Sequence, residues 1–414
     1  MLSIRKTYFW IHLYMLIIQI IAPVLFKPAD ELGVLFMLIL IGLDMAFNRQ
    51  IMRYKGMFIV IGILAFYAVY SMAFLHFNTG KAILVDFVIE SKPFVPFFIS
   101  FAIAPRYTNK ENQILKTASL GLASIVLLFF IQLPFSHYLP FHIATLGSIS
   151  YMCFLTYVFC SVRSDGTITH RDIIMACSII VVGLFCTRSK YFGEAVMALF
   201  FLFLYRPGMF KQIKLKQVVI FCLIFATVIA VSWQKINYYF IVGNGDTFDP
   251  EVLESFARPA LIGGAFLILC DFPLLGSGLA SYATHASTPK VDYSSVYAAY
   301  DLDNVYGLSE QMPDFICDMF YASFAQFGLV GIALFIFFFV WIYQRLRLVL
   351  HNESHVFFYV GVLVIAYLMI ENIGSTQFSQ ASGAYSMMML GAIIGKYRHC
   401  NKEQRKLILQ QDYK

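Results

Sequence analysis

Charge is what this sequence has least of. Only 13% of its 414 residues are Asp, Glu, Lys or Arg, and 60% are hydrophobic, whereas soluble globular chains carry about 25% charged residues. That balance excludes a water-soluble domain. The formal charge of +6 implies no nucleic-acid partner and has to be read loop by loop. The familiar soluble-site signatures are missing too. There is no P-loop, no dinucleotide-binding glycine fingerprint and no HExxH, and "DLD" at Asp301–Asp303 is the only trace of a DxD metal pattern. No cofactor and no metal are expected. The eight cysteines form no CxxC and no Cys/His metal spacing. Cys153, Cys160, Cys177, Cys186 and Cys222 lie in or beside apolar runs and read as small packing residues. Cys270 and Cys317 are candidates for a disulfide at one face.

What is present is a series of apolar runs. A membrane helix needs about 20 apolar residues, with a range of about 17–25, and only structures that satisfy their own backbone groups cross lipid. The chain therefore reads as an all-α polytopic membrane protein of about twelve crossings. They fall at 9–26, 32–47, 57–75, 82–104, 114–133, 144–162, 172–187, 191–205, 217–233, 316–343, 355–372 and 380–396. The first run, Phe9–Phe26, has no small-residue cleavage site and reads as a crossing, not a signal peptide. Organisation follows: nine helices over 1–233, a large loop over 234–313, three helices over 314–396, and a tail over 397–414. No internal repeat is apparent.

Lys and Arg orient the crossings. One set of connections is crowded: Arg5, Lys6, Arg49–Lys55, Arg106–Lys116, Arg163, Arg171, Arg206–Lys216, Arg345, Arg347 and the tail from Lys396. The other holds only Lys27, Lys81, Arg188, Lys190, Lys235, Arg258 and Lys290. The crowded side is expected to be cytoplasmic, so the large loop faces outward. Arg188 and Lys190 then stand outside, against the general bias.

Four stretches carry candidate chemistry. In "CTRSKYFGEA", Arg188 and Lys190 sit at a tight turn between two short crossings. They either snorkel to lipid headgroups or hold a phosphate, which the planar fork of Arg suits. In "DPEVLESFARPALIGGAFLILCDFPLLGSGLASY", Asp249 and Pro250 read as a helix start. Leu261–Cys270 is too short to span and reads as an outer helix. Arg258 either pairs with Glu254 four residues earlier or faces the site, and Pro259 should break or kink the helix behind it. Gly276 and Gly278 follow in a turn where glycine lets the backbone approach something closely. In "PDFICDMFYASFAQFGLVGIALF", a crossing opens with Asp314 and Asp318. Either carboxylate serves as a helix N-terminal charge, and Asp318 is the better candidate to accept a proton from a hydroxyl. The loop adds Tyr282, Tyr293, Tyr297, Tyr300 and Tyr306 with Asp292, Asp301, Asp303 and Glu310, suited to sugar faces and hydroxyls. Asp86, Glu90 and Lys92 lie within the fourth expected crossing, where ionisable groups are functional candidates by default.

The order of three segments resembles the bacterial O-antigen polymerase and O-antigen ligase superfamily. They are "TRSKYFGEAVMALFF" (Thr187–Phe201), "ARPALIGGAFLILCDFPLLGSGLASY" (Ala257–Tyr282) and "DMFYASFAQFGLVGIALF" (Asp318–Phe335), the last with Gly328 and Gly331. The motifs cover about a seventh of the chain. The resemblance implies a metal-independent, GT-C-like glycosyltransferase in the bacterial inner membrane, with its active face periplasmic. Its partners would be donor and acceptor glycans on undecaprenyl diphosphate and a separate chain-length regulator. Arg188 and Arg258 would hold the donor diphosphate, and Asp318 would serve as base. Lys190, Gly276, Gly278, Tyr282 and His285 would bind substrate. Ligases of the superfamily usually carry a His at the start of the crossing that holds Gly328. Here Cys317 and Asp318 stand there, and His285 is the only histidine of the large loop. The resemblance therefore favours a repeat-unit polymerase over a ligase acting on lipid A core. A transporter or flippase is disfavoured because the charges cluster toward one face.

Overall fold

The computed structural model of the chain describes residues 4–25, 29–48, 51–132, 143–163, 165–204, 233, 257–352 and 354–396. The expected crossing at 217–233, all but its last residue, lies outside these, as do Asp249, Pro250, Glu254, Lys235 and the tail 397–414. Every regular element among the described residues is helical. In chain order they are α1 (Ile4–Leu25), α2 (Ala29–Asn48), α3 (Lys55–Tyr70), α4 (Gly80–Ser91), α5 (Phe94–Ile103), α6 (Asn109–Gln132), α7 (Ile143–Cys160), α8 (His170–Leu184) and α9 (Ser189–Leu199). After the undescribed stretch come α10 (Ala257–Asp271), the single turn α11 (Val296–Ala299), α12 (Gly328–Asn352), α13 (His355–Glu371) and α14 (Ala381–Gly395).

Among the described residues, four helical stretches are long and apolar enough to cross a membrane: Ile51–Leu75, Asn109–Gln132, Ile143–Cys160 and Gly328–Leu350. They differ in where their apolar surface goes. On α7 every residue from Leu146 to Cys160 is buried, as a helix that is apolar all round must be. It packs with α14, which is buried from Ser382 to Gly395. Around these two stand helices that turn large apolar side chains outward: Leu128 and Ile131 on α6, and Leu329, Ile336, Phe337 and Val340 on α12. An apolar surface of that extent belongs against lipid. Small residues bring α14 onto α5, where a Cβ on Gly391 would lie 2.2 Å from the Phe97 carbonyl. Close approach of this kind is how membrane helices gain packing contacts.

Two expected crossings are not continuous helices. The stretch 82–104 is broken into α4 and α5 at Lys92–Pro93. Proline lacks the N–H an unbroken helix needs, and Lys92 leaves the break to pair with Asp30 at the start of α2. The stretch 316–343 does not begin as a crossing either. Asp314–Met319 forms turns, Phe320–Gln326 is a 3₁₀ turn, and the long helix starts only at Gly328. Asp318 therefore stands outside the crossing, not in its first turn. Pro259 does not end its helix, which runs on through it to Asp271. Cys270 and Cys317 are both free thiols, Cys270 exposed, so the disulfide is not formed.

Residues 257–327 form a unit with its own core. α10 turns Leu261, Gly264, Ala265 and Ile268 inward onto Tyr282, Tyr297, Leu302 and Ile316. Its other face exposes Ile262, Phe266 and Leu267. Backbone bonds close the unit on itself and fasten it to α12. Ser277 N–H donates to Ala325 O at 3.0 Å, Gly278 N–H to Gln326 O at 3.0 Å, Leu329 N–H to Pro273 O at 2.8 Å and Val330 N–H to Leu274 O at 3.1 Å. Gly276, Gly278 and Gly328 all adopt positive φ at this seam. A Cβ on Gly276 would lie 2.4 Å from Ala325 O. Side chains add to the seam: Ser71 Oγ accepts Leu279 N–H at 2.7 Å, and the buried Asp86 accepts Ala280 N–H at 2.7 Å. Asp86 thus satisfies a backbone donor.

Two tests follow from the seam and the thiols. Gly276→Ala is expected to lower stability by about 1–3 kcal/mol, the cost of a side chain held at positive φ, read as a lower thermal midpoint in detergent; an unchanged midpoint would refute the seam. Burial pushes the Cys317 thiol up to about 12, with Asp86 and Asp318 adding to the shift. Since the thiolate is the reactive form, a maleimide at pH 7.5 should label Cys270 within minutes and Cys317 only after unfolding, as read by peptide mapping.

Candidate functional site

Two of the cations expected to face outward, Lys190 and Arg258, come together where the 257–327 unit meets the ends of α9 and α13. Arg258, near the start of α10, donates from Nη2 to Asp318 Oδ2 at 2.8 Å. The pair is partly open, with side chains 42% and 29% exposed. Lys190, in the first turn of α9, reaches the end of α13, where Nζ donates to Glu371 O at 2.9 Å and lies 3.4 Å from Glu371 Oε2. An ammonium at a helix C-terminus is favoured by the carbonyls and dipole there, so part of what Lys190 does is to cap α13.

The turn after α13 brings the two cations together. A Cβ placed on Gly374 would lie 3.4 Å from Lys190 Nζ and 3.9 Å from Arg258 Cζ. Both are ordinary contact distances, so the turn at Gly374 stands between the two cations. Asn372, Ser375 and Thr376 belong to the same turn. Asn372 Oδ1 accepts Phe378 N–H at 2.9 Å, which shapes the loop. Ser375 O accepts Phe320 N–H at 3.3 Å, which ties the loop to the 3₁₀ turn two residues after Asp318. Behind Lys190, Glu194 on α9 is buried, with Glu371 and Lys190 its closest ionisable neighbours.

Of the residues expected to act together, Arg258, Asp318 and Lys190 meet here. Arg188 is two residues before Lys190, exposed at the N-cap of α9. Gly276 and Gly278 approach the backbone of Ala325 and Gln326, which accounts for the glycines as packing residues. Tyr282 is fully buried; its hydroxyl donates to Leu261 O at 2.9 Å and its ring packs on Tyr297. It holds α10 in place from beneath. His285 reaches the surface in a short turn. Its ring still packs closely enough, with Lys290 and Lys92 near, that its pKa is lowered from the usual imidazole value; it is neutral at pH 7. Of the loop tyrosines, Tyr293 donates to Leu308 O at 2.7 Å and Tyr300 to Asp271 Oδ2 at 2.7 Å, while Tyr306 is exposed. Glu90 is buried and faces an apolar cavity.

Glu371, Gly374 and Glu194 were not singled out from the sequence. Glu194 and Glu371 had a signal, an acidic residue inside or ending an apolar run. Gly374 had none. Among the described residues, no group of three His, Cys, Asp or Glu side chains is arranged to hold a metal ion.

The arrangement is a candidate anion site. Two cations on different helices stand on either side of Gly374, each with a carboxylate partner: Glu371 beside Lys190 and Asp318 beside Arg258. No protein-family model matches the chain, and no curated protein matches it. The site's own chemistry carries the assignment.

If Arg258 and Asp318 serve a ligand more than the fold, removing them should barely disturb stability. A partly exposed ion pair is worth about 0–1 kcal/mol. Arg258→Ala and Asp318→Ala are therefore each expected to leave the thermal midpoint within a few degrees of the parent; a collapse of the folded protein in either would assign the pair to structure.

Proposed function

We propose that the protein is a polymerase of undecaprenyl-diphosphate-linked oligosaccharide repeat units, acting at the periplasmic face of a bacterial inner membrane. In this reading the chain crosses the membrane about twelve times in a GT-C-like arrangement, and the product is O-antigen or a related surface polysaccharide. The observation that carries it is the meeting of Lys190 and Arg258 across Gly374, at the junction of a helical membrane bundle and the 257–327 unit with its own core. A membrane enzyme needs such a site where a lipid-borne diphosphate departs. The sequence resemblance to the O-antigen polymerase and ligase superfamily supports the same assignment.

The reaction follows from the parts. The donor glycan lies with its diphosphate between Lys190 and Arg258, with Arg188 on the neighbouring turn. A hydroxyl of the acceptor repeat unit attacks the anomeric carbon. The bond from that carbon to the diphosphate oxygen breaks, and its electron pair leaves with the diphosphate. Fixed cations offset the charge that builds there, an effect of preorganised groups that need no rearrangement at the moment of reaction. The hydroxyl proton passes to a carboxylate. In this reading Asp318 takes it, with Arg258 holding one of its oxygens and so orienting the carboxylate to accept the proton. The products are a lengthened glycan on the acceptor lipid and free polyprenyl diphosphate.

The test is chain extension in cells. Arg258→Ala and Arg188→Ala are expected to cut extension by about 100-fold or more, the scale set by removing one donor to a developing oxyanion, with normal insertion and expression. A lipopolysaccharide gel should collapse to core plus a single repeat unit. Loss of even the single repeat, with lipid-linked polymer accumulating, would make the protein a ligase. An unchanged ladder and unchanged capsule in both variants would refute the diphosphate assignment.

A further inference from the structure

Beneath the cation site lies a cavity of about 390 Å³ between α3, α5 and α12. That volume is within the range of about 300–1,000 Å³ typical of small-molecule sites. Its lining is nearly all apolar and mostly aromatic, with Phe94, Phe98, Phe324, Phe335, Phe338 and Trp341 making much of the wall. Two of the enclosing stretches, Ile51–Leu75 and Gly328–Leu350, are among those long and apolar enough to span a membrane. The cavity reaches the bundle surface, since its lining residues Ile59, Leu334 and Phe337 are 59%, 39% and 68% exposed. It therefore opens sideways, toward the hydrocarbon of a bilayer.

The cavity and the cation site share a partition. Phe320 and Phe378 line the cavity, and their rings pack together at 5.2 Å between centroids. On its other side the same partition forms the site: Phe320 N–H is held by Ser375 O beside Gly374, and Phe378 N–H by Asn372 Oδ1. Asp318, the partner of Arg258, is two residues before Phe320. The one carboxyl-bearing lining residue is Glu90. Lys92, two residues on, is engaged by Asp30 and Glu31 and does not neutralise it. A carboxyl in the wall makes the cavity unfit for a phosphate, while the neighbouring site, with its two cations, is unfit for hydrocarbon. The two compartments complement the two halves of a single amphipathic molecule.

We propose that this aromatic cavity binds the first isoprene units of a polyprenyl diphosphate, entering sideways from the bilayer between α3 and α12, with its diphosphate held across Gly374 by Lys190 and Arg258. This rests on reading the cation site as a diphosphate site, and adds where the chain lies and how the lipid enters. The aromatic, apolar walls suit a hydrocarbon chain, and the diphosphate reading makes that chain an isoprenoid. The same partition then sets the distance between the chain and the reacting phosphate.

The experiment uses the full-length protein in nanodiscs with two probes, farnesyl diphosphate and inorganic pyrophosphate, their binding measured by calorimetry. Leu334→Trp and Val60→Trp fill the cavity from opposite walls, and neither residue belongs to the cation site. Both variants are expected to weaken farnesyl diphosphate at least tenfold and to leave pyrophosphate within twofold of the parent. Farnesyl diphosphate bound by both variants as tightly as by the parent would overturn the proposal. So would bound phospholipid, seen by native mass spectrometry, that is lost from both variants while farnesyl diphosphate is not weakened, because the cavity would then hold an acyl chain. A parent protein that binds neither probe would refute the diphosphate reading itself, a result distinguishable from failure of the cavity alone. If one tryptophan variant does not fold, the other still decides.

Discussion

The site depends on one backbone seam. Pro273–Gly278 lies against Ala325–Val330, and the main chains touch because three glycines stand where a side chain would collide. Arg258 is carried by a helix that precedes the seam, and Asp318 by turns on its other side. Their 2.8 Å contact exists only while the seam aligns the two segments. The seam also solves a solvation problem. A non-helical chain beside a membrane bundle brings backbone donors and acceptors that must be satisfied. Here they satisfy one another, and Ser71 and Asp86 supply the remaining acceptors from α3's end and from α4.

Charge is distributed to match. Several of the charged groups within the described bundle are locked in structural pairs: Lys92 with Asp30, Lys116 with Asp172, Arg53 with Asp44. Desolvated charges are tolerated when they are paired and hydrogen-bonded, and these pairs tie helices together. Lys190 and Arg258 differ because, each with its carboxylate partner, they stand on either side of Gly374. That meeting gives the arrangement chemical scope. A site built on helix ends and on a tightly hydrogen-bonded loop is also rigid, as catalysis by fixed charges demands.

Much of this was legible in the chain. The membrane class follows from the scarcity of charge, and most helices from the length of the apolar runs. The cations at 188, 190 and 258 stood out because they oppose the general bias of Lys and Arg. The exceptions are local. The apolar run 82–104 reads as one helix, but proline and a buried lysine break it at Lys92–Pro93. The run from 316 reads as the opening of a crossing, but Phe320–Gln326 is a 3₁₀ turn held by Ser375 and by the glycine seam. Gly276 and Gly278 permit a close approach, and what approaches is another stretch of backbone.

The sequence by itself determined the solvent in which this protein folds and which residues are costly to place there, because hydropathy and charge are properties of single residues and short windows. Only the tertiary structure decided which of those costly residues meet. Lys190 and Glu371 are 181 positions apart, and Arg258 and Asp318 are 60 apart. No periodicity links such positions. Their meeting depends on helix packing and on the turn after α13, which brings Gly374 within contact of both cations.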